Sequence, residues 1–228
     1  MTDMMIQGSE AWFAARCGKV TASRVADVVR KTKTGWGASR ANYMAQLVCE
    51  RLTGTVAESF TTPAMEWGTL HEPDARAAYE FMFDCEIELV GSIDHPEIKM
   101  ASGSPDGLVG KDGMIEIKCP LTATHIDTLL GRSIPGDYET QMLWNMACNP
   151  TRKWCDFISF DPRMPEQMSL YRERVFRDAK RILELEQMVH AFLGELDRKV
   201  ADLTVRYVRK QSPVMQQLQD SVALLGLS

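Results

Sequence analysis

The feature that most constrains the fold is a change in the spacing of apolar residues near position 85. Before this point, apolar residues recur every three or four positions, which is typical of amphipathic helices. After it, short apolar runs separated by turn residues predict four strands, over Glu86–Ile93, Met100–Ser102, Gly107–Val109 and Met114–Lys118. Lys111-Asp112-Gly113 lies between the last two runs, and an Asp-Gly pair in that position is typical of a hairpin.

The rest of the chain supplies helices and one further strand. Ser9–Val29 is predicted to form a short helix, a break at Gly18 and a second helix capped by Thr21 or Ser23. The later predicted elements are a basic loop over Lys31–Ser39, helices over Arg40–Leu52, Ala64–Phe83, Thr124–Leu130 and Asp137–Ala147, a strand over Lys153–Ser159, and a long helix from Glu173 into the 190s. In the helix over 64–83, the predicted buried residues are Trp67, Leu70, Ala75, Ala78, Tyr79 and Met82.

This order of elements predicts a mixed α/β fold, with a central mixed β-sheet flanked by helices. At 228 residues, we expect a single domain over 1–228. Its core is expected at about 9–165, followed by a long helical C-terminal region at about 173–228.

Charge and cysteine content narrow the class of protein. The net charge of −5 argues against a generic nucleic-acid binder with a basic surface, but it does not locate the charges. The six cysteines form no CxxC pair and the four histidines are dispersed, which disfavours a structural zinc site. Because we find neither a leader pattern nor a bilayer-length apolar run, we expect a cytosolic protein without membrane association and with reduced thiols.

Two acidic residues and a lysine in the predicted hairpin are the strongest chemical signal. Asp106 follows Pro105 at the start of the hairpin, and Glu116 and Lys118 lie two positions apart on its second strand. Side chains two positions apart on a strand share a face, so this pair projects together within reach of Asp106. Magnesium prefers hard oxygen ligands such as these carboxylates and the Ile117 carbonyl, and a nearby lysine can orient the attacking water. The alternative is a strand with one apolar and one solvated face.

These residues resemble the PD-(D/E)xK nuclease signature, and the surrounding blocks resemble the phage lambda exonuclease family of viral recombination exonucleases (the YqaJ type). The matching blocks are Trp12 with Arg16, Gly18 and Val20–Ser23; Trp67-Gly68, Glu72 and Asp74–Arg76; Ser104–Leu108 and Glu116–Pro120; Tyr138 with Gln141; and Phe160–Met164. The resemblance covers most of residues 9–165 and implies a restriction-endonuclease-like core.

The resemblance also implies a metal site and its catalytic residues. The implied residues are Asp106, Glu116, the main-chain carbonyl of Ile117 and Glu72 as metal ligands, with Lys118 and Gln141 completing the catalytic set. Lys118 assists the attacking water, and Gln141 touches that water or the lysine. Glu72 lies at a second metal ion, although without the resemblance it would be a helix-surface carboxylate. The implied cofactor is Mg²⁺, with Mn²⁺ as a substitute and two ions per active site.

Arg16 is implied to hold the 5′-phosphate of a DNA end. Thr21, Ser23 and Ser104 would complete its pocket with hydroxyl groups. A guanidinium fork matches phosphate oxygens, which supports this role. Thr21 and Ser23 have ordinary helix capping as an equal alternative, and both roles can hold because a helix N-terminus is itself an anion site.

Other residues are implied to contact the DNA outside the active site. Met65 occupies the position of an apolar wedge that helps to split the terminal base pairs, with core packing as its alternative. Arg30, Lys31 and Lys33 are expected to contact the DNA backbone, with a solvated basic loop as the alternative. His71, His125, Asp94 and Glu97 match no catalytic position, and the role of the two acids stays open.

As a whole, the resemblance implies a 5′-to-3′ exonuclease that digests one strand of linear duplex DNA and leaves a 3′ single-stranded overhang for recombination. It implies a homotrimeric ring and a single-strand annealing protein as partners, in the cytoplasm of a bacterial host if the chain is phage-encoded. The alternatives are a structure- or sequence-selective endonuclease with the same core, and a DNA-end-binding scaffold with a vestigial site.

Overall fold

The computed structural model describes residues 7–208, apart from 34, 58–60 and 132–133. In chain order, the elements are α1 (Glu10–Arg16), β1 (Val20–Thr21), α2 (Ala22–Val29), β2 (Lys31–Thr32), β3 (Gly35–Trp36), α3 (Ala38–Thr53), α4 (Pro63–Phe83), β4 (Ile87–Glu88), β5 (Ile93–Asp94), β6 (Ala101–Gly103), β7 (Gly107–Val109), β8 (Gly113–Lys118), α5 (Thr122–Leu129), α6 (Gly136–Cys148), β9 (Trp154–Phe160), α7 (Glu166–Ser169), β10 (Leu170–Phe176), α8 (Ala179–Leu203) and a π-helical turn (Thr204–Val208). The part of the predicted C-terminal region over 209–228 lies outside the described residues.

The main sheet has the strand order β10-β9-β8-β7-β4 within the described residues. β7 and β8 form the predicted hairpin, in which Val109 lies opposite Gly113. Gly110 in the intervening turn adopts a φ of 52°, a conformation that glycine tolerates without strain. β8 and β9 run parallel at the centre of the sheet. The predicted mixed α/β architecture is therefore confirmed.

Alternate residues of β8 pack on opposite sides of this sheet. Ile115 and Ile117 belong to the apolar cluster beneath α4. Met114 belongs to the larger cluster, which is formed with α2, α3, α6 and α8. Because strand side chains alternate, Glu116 and Lys118 share the side of Met114 and face α6.

A smaller sheet, with the order β1-β6-β5, positions the N-terminal part of the chain. β1 runs parallel to β6, with Val20 opposite Ala101. α1 ends at Arg16, shortly before β1, and β6 leads directly into Ser104. The pairing therefore holds the end of α1 beside the residues that precede Asp106.

The segment Lys31–Ser39 contains a two-stranded hairpin, so the prediction of a loop is wrong here. Lys31 on β2 lies opposite Trp36 on β3. The Lys31 ammonium lies 5.4 Å from the centroid of the Trp36 ring, a cation–π contact across the two strands. The polar, glycine-bearing sequence favoured a loop because it does not reveal this cross-strand pair.

The long C-terminal helix begins at Ala179, so the predicted start at Glu173 is wrong. Residues 170–176 form β10, which pairs antiparallel with β9. From this strand, Arg172 and Arg174 donate to the buried carboxylate of Asp156 on β9, at 3.2 Å and 2.6 Å. A buried carboxylate requires such partners, and this long-range requirement outweighs local helical spacing.

The predicted helix over 64–83 is confirmed as α4, but it buries fewer residues than its spacing suggested. Ala75 and Tyr79 are buried, whereas Leu70 is 69% exposed and Met82 is 52% exposed. α4 packs on the sheet along a narrow stripe, which leaves the flanking apolar residues in solvent. Of the described helices, none has the length and apolarity needed to cross a membrane.

Candidate active site

A cavity of about 190 Å³ lies where the end of β8 faces α6 and the end of α1. It is lined by Gln7, Trp12, Arg16, Ala22, Ser23, Ser104, Asp106, Glu116, Lys118 and Gln141. Four of the residues predicted for hydrolysis (Asp106, Glu116, Lys118 and Gln141) and three of the four predicted for phosphate binding (Arg16, Ser23 and Ser104) therefore share one cavity.

The Glu116 carboxylate is completely buried and is held by three side chains. Its Oε1 atom accepts hydrogen bonds from Lys118 Nζ at 2.5 Å and from Gln141 Nε2 at 2.6 Å. Its Oε2 atom accepts from Asn145 Nδ2 at 3.2 Å. Burial raises the pKa of Glu116 above its usual value, and the charge and hydrogen bond of Lys118 oppose that shift.

Asp106 precedes β7 and is tied to the second strand of the hairpin. Its N–H donates to the Ile115 carbonyl at 3.2 Å, and its Oδ2 accepts from the Ile117 N–H at 2.6 Å. Burial, together with the negative charge of Glu116, raises the pKa of Asp106 well above its usual value. Neighbouring buried carboxylates repel each other, and a nearby positive charge relieves that repulsion.

Lys118 supplies such a positive charge. Burial alone would lower its pKa, but the carboxylates of Glu116 and Asp106 raise it above the usual value, so the ammonium is protonated at neutral pH. Its Nζ lies 5.1 Å from the centroid of the Tyr138 ring on α6. A protonated lysine in this place can offset negative charge on a phosphate group.

The donor set around these residues fits a divalent cation. Magnesium is usually bound through one or two carboxylates and keeps several waters. Asp106 and Glu116 supply two carboxylates whose pKa values are raised by burial, with the charge of Glu116 adding to the shift of Asp106 and the charge of Glu72 adding to that of Glu116. Among the described residues, no group of three or more His, Cys, Asp or Glu side chains is arranged to hold a metal ion.

Glu72 lies near this site but does not line the cavity. Its carboxylate forms an ion pair with Arg76, one turn further along α4. Its charge nevertheless contributes to the raised pKa values of Asp106 and Glu116. The described structure thus places Glu72 at the edge of the acidic site, with its carboxylate engaged by an arginine.

Arg16 lies at the other side of the cavity, in the last turn of α1. Its guanidinium carbon is 3.8 Å from the centroid of the Trp12 ring, and Trp12 Nε1 donates to Ser104 Oγ at 3.2 Å. Burial lowers the pKa of Arg16 to about 10, with Coulombic interactions with Tyr43 and Glu50 opposing the shift, so the guanidinium is charged at neutral pH. Trp12 thereby links the predicted phosphate-binding arginine to the serine beside Asp106.

Two of the three hydroxyl residues predicted for this pocket line the cavity, and the third does not. Ser23 and Ser104 line the cavity with Arg16. Thr21 is buried at the N-cap of α2, where its side chain makes no capping hydrogen bond, and it does not line the cavity. Its main-chain N–H is instead bonded to the hydroxyl of Tyr43 at 3.2 Å.

The predicted DNA-contact residues lie outside the cavity. Met65 is 53% exposed in the first turn of α4. Lys31 and Lys33 are exposed on the β2–β3 hairpin. Arg30, which precedes that hairpin, is ion-paired with Asp137. Met65, Lys31 and Lys33 are exposed to solvent. Arg30 would have to break its ion pair with Asp137 to contact a phosphate.

The residues left without a role in the sequence also lie outside the cavity. His71 is paired with a carboxylate one turn along α4, at 3.0 Å. His125 is buried between the Ser159 hydroxyl and a main-chain carbonyl, at 2.8 Å and 2.7 Å. Asp94 forms an ion pair with Lys19. The His71, His125 and Asp94 side chains thus each have a structural partner outside the cavity.

Two residues of the site, Asn145 and Gln7, are not singled out by the sequence. Asn145 follows Gln141 by one helical turn, so both amides face Glu116. The sequence could have identified Asn145 as a polar residue within the apolar C-terminal part of α6. Gln7 lines the cavity and donates to the Pro105 carbonyl at 2.8 Å, and its local sequence carries no comparable signal.

Comparison with known proteins gives one family and several related structures. The YqaJ-like viral recombinase domain matches residues 11–152, and no curated protein matches the chain. An alkaline exonuclease from Laribacter hongkongensis, LHK-Exo, is 49% identical with a TM-score of 0.82, over 88% of this chain and 99% of that one. A structure of LHK-Exo in complex with dAMP matches with the same values. A phage related exonuclease from Haemophilus somnus 129PT shares the fold, with a TM-score of 0.66 and 15% identity over 81% of this chain and 96% of that one.

Proposed function

The chain belongs to the YqaJ-like viral recombinase family, and from this premise we propose that it digests one strand of linear duplex DNA from the 5′ end to mononucleotides. The family and the 49% identity to LHK-Exo support the coarser statement directly: this is a DNA exonuclease. The direction, the duplex substrate and the 3′ single-stranded overhang are the proposed part. The complex of LHK-Exo with dAMP, a mononucleotide, agrees with mononucleotide products.

The observation that carries the proposal is the single cavity shared by Arg16, Asp106, Glu116 and Lys118. A charged guanidinium beside serine hydroxyls is suited to a terminal phosphate, which carries more negative charge than an internal one. Because the acidic residues line the same cavity, a phosphate held by Arg16 would place a nearby phosphodiester beside them. This arrangement favours cleavage at an end that carries a 5′-phosphate.

Asp106, Glu116 and the Ile117 carbonyl are the proposed ligands of a divalent cation, with Glu72 at a second ion. Nucleases of this family generally use divalent metals, and Mg²⁺ is the proposed one, with Mn²⁺ as a substitute and two ions per site. The bound cation supplies Lewis-acid activation of the phosphate and of water. For Glu72 this role requires release from Arg76, with which it is paired.

The protein's own polar groups complete the reaction. Lys118, held protonated by the two carboxylates, offsets the charge that develops on the phosphate and orients the attacking water. Gln141 shares the Oε1 atom of Glu116 with Lys118 and can orient the same water. Met65, in the exposed first turn of α4, is the proposed wedge between terminal base pairs, and Arg30, Lys31 and Lys33 are proposed to contact the backbone.

The proposed partners are a single-strand annealing protein and further copies of this chain. A 3′ single strand is a substrate for strand annealing, so a single-strand annealing protein is the expected partner, in the cytoplasm of a bacterial host if the chain is phage-encoded. We also propose a ring-shaped homotrimer, which would keep the enzyme on one DNA strand between cleavage events.

The proposal is tested by comparing linear duplex with covalently closed circular DNA, each with Mg²⁺. An exonuclease releases mononucleotides from the linear form and leaves the circle intact. Cutting of the circle would instead identify an endonuclease, and metal-independent end binding without cleavage would identify a scaffold.

The catalytic assignment is tested in the same assay with Lys118→Met. Loss of the charged amine is expected to lower the rate roughly 10²- to 10³-fold, the scale of removing one transition-state donor. Lys153→Met is the control, because Lys153 is exposed and paired with Asp112 at the hairpin turn, outside the cavity. Full activity of Lys118→Met would overturn the mechanism.

A further inference from the structure

Asn145 is the buried polar residue of the site to which the proposed mechanism gives no role. It lies on α6, one turn beyond Gln141, and is completely buried. Its Nδ2 donates to Glu116 Oε2 at 3.2 Å. Its Oδ1 atom is also buried and has no hydrogen-bond partner among the described residues.

Asn145 lies within a buried, mostly apolar stretch of α6. The residues on either side of it on α6 are all buried: Met142, Leu143, Trp144, Met146, Ala147 and Cys148. A buried acceptor without a partner destabilises a fold, and an apolar side chain of similar size would avoid that loss. Packing alone therefore does not account for an asparagine here, whereas the contact with Glu116 does.

The backbone is arranged to bring this amide close to the site. A Cβ atom added at Gly103 on β6 would lie 2.5 Å from Asn145 Oδ1 and 3.4 Å from its Cα. A side chain at position 103 would therefore meet the Asn145 amide, and glycine leaves room for it. In this position the Nδ2 atom of Asn145 lies within hydrogen-bonding distance of Glu116.

The three side chains that donate hydrogen bonds to Glu116 are distributed unequally between its two carboxylate oxygens. Lys118 and Gln141 both bind Oε1, which leaves that atom with no free lone pair. Asn145 alone binds Oε2, which retains one lone pair. Rotation of the carboxylate would break the Asn145 contact, so this amide fixes the orientation of the oxygen that still has acceptor capacity.

We propose that Asn145 is a positioning residue that fixes the Glu116 carboxylate for cation binding. The inference rests on the proposed function, in which Glu116 is a ligand of Mg²⁺. Groups that orient a metal ligand through a hydrogen bond change metal affinity about 10- to 100-fold when they are removed. Asn145 acts through Glu116 and is not itself assigned to the metal or the DNA.

The test is the affinity of DNA-free protein for Mg²⁺, measured by isothermal titration calorimetry on wild type and Asn145→Leu. The leucine variant is expected to bind Mg²⁺ about 10- to 100-fold more weakly. It should also need more Mg²⁺ for half-maximal digestion of linear duplex, with an unchanged KM for DNA ends. Ser102→Ala is the matched control, because Ser102 Oγ is likewise buried and without a hydrogen-bond partner among the described residues, and none of the described hydrogen bonds joins it to Glu116.

Wild-type Mg²⁺ affinity in a folded Asn145→Leu protein would overturn the inference, as would an equal loss of affinity in Ser102→Ala. If leucine prevents folding, Asn145→Ala replaces it, since truncation removes the donor without steric conflict, and the same two outcomes apply. Failure of the proposed function is separate: wild type would then bind Mg²⁺ without digesting linear duplex.

Discussion

Replacement of Arg16 by methionine should remove the preference for ends that carry a 5′-phosphate. The guanidinium is stacked on Trp12 at 3.8 Å, lies in the cavity with Ser23 and Ser104, and is charged at neutral pH. Methionine keeps the apolar contact with the Trp12 ring but removes both the charge and the N–H donors. The loss is therefore confined to phosphate recognition.

The magnitude follows from the contacts that a phosphate would gain. Hydrogen bonds to a charged group contribute about 1.5–3 kcal/mol, and about 1.4 kcal/mol corresponds to a factor of ten. For Arg16→Met we thus expect kcat/KM on 5′-phosphorylated linear duplex to fall about 10- to 150-fold. Arg16→Lys should lie between wild type and Arg16→Met, because lysine keeps the charge and loses the planar fork.

The assay compares 5′-phosphorylated and 5′-hydroxyl forms of the same duplex. The rate on the hydroxyl form should change little in Arg16→Met, so that the ratio of the two rates approaches one. Arg24→Met is the control: Arg24 is also stacked on an aromatic ring, Tyr43 at 4.3 Å, but it is ion-paired with Asp27 and lies outside the cavity. An Arg16→Met enzyme that slows equally on both ends would refute the reasoning, since the arginine would then serve the fold or the chemistry.

Three further predictions concern the fold and the cofactor. Gly113→Ala should lower the free energy of unfolding by about 1–3 kcal/mol, because the added Cβ would lie 2.1 Å from the Trp154 ring. Urea titration measures this change, and an unchanged unfolding midpoint would contradict the packing described. Burial alone would raise the pKa of Asp161, but hydrogen bonds from Arg163 lower that pKa to about 2. The ionised Asp161 carboxylate therefore stabilises the fold above pH 4, and this stabilisation is lost as the pH falls toward 2. Asp161→Asn should therefore be less stable than wild type at pH 7, with a difference that shrinks below pH 4, and a pH-independent difference would contradict this. Chelation with EDTA should abolish digestion of linear duplex, and excess Mg²⁺ or Mn²⁺ should restore it; activity that survives chelation would exclude the proposed cofactor.

The elements that the sequence determined are those governed by short-range rules. The β7–β8 hairpin follows from turn residues between two short apolar runs, and the shared face of Glu116 and Lys118 follows from the strand period of two. Asp106 reaches the same site because the hairpin folds it back against Ile117. These relations span a few residues, so local geometry fixes them in any fold that keeps the hairpin.

Long-range contacts were decided by the tertiary structure alone. Arg16 comes beside Ser104 only because β1 pairs with β6, and Trp12 then bridges them. Strand β10 replaces a predicted helix start because Asp156, buried on β9, requires the arginines opposite it.

The predicted trio Asp106, Glu116 and Lys118 shows the same division. Sequence spacing placed the three side chains together, but it carried no information on what holds the Glu116 carboxylate. The amides of Gln141 and Asn145 reach Glu116 only after α6 packs against β6 at Gly103. Spacing along a strand is a local property of the chain, whereas the partners of a buried charge depend on which distant segments pack against it.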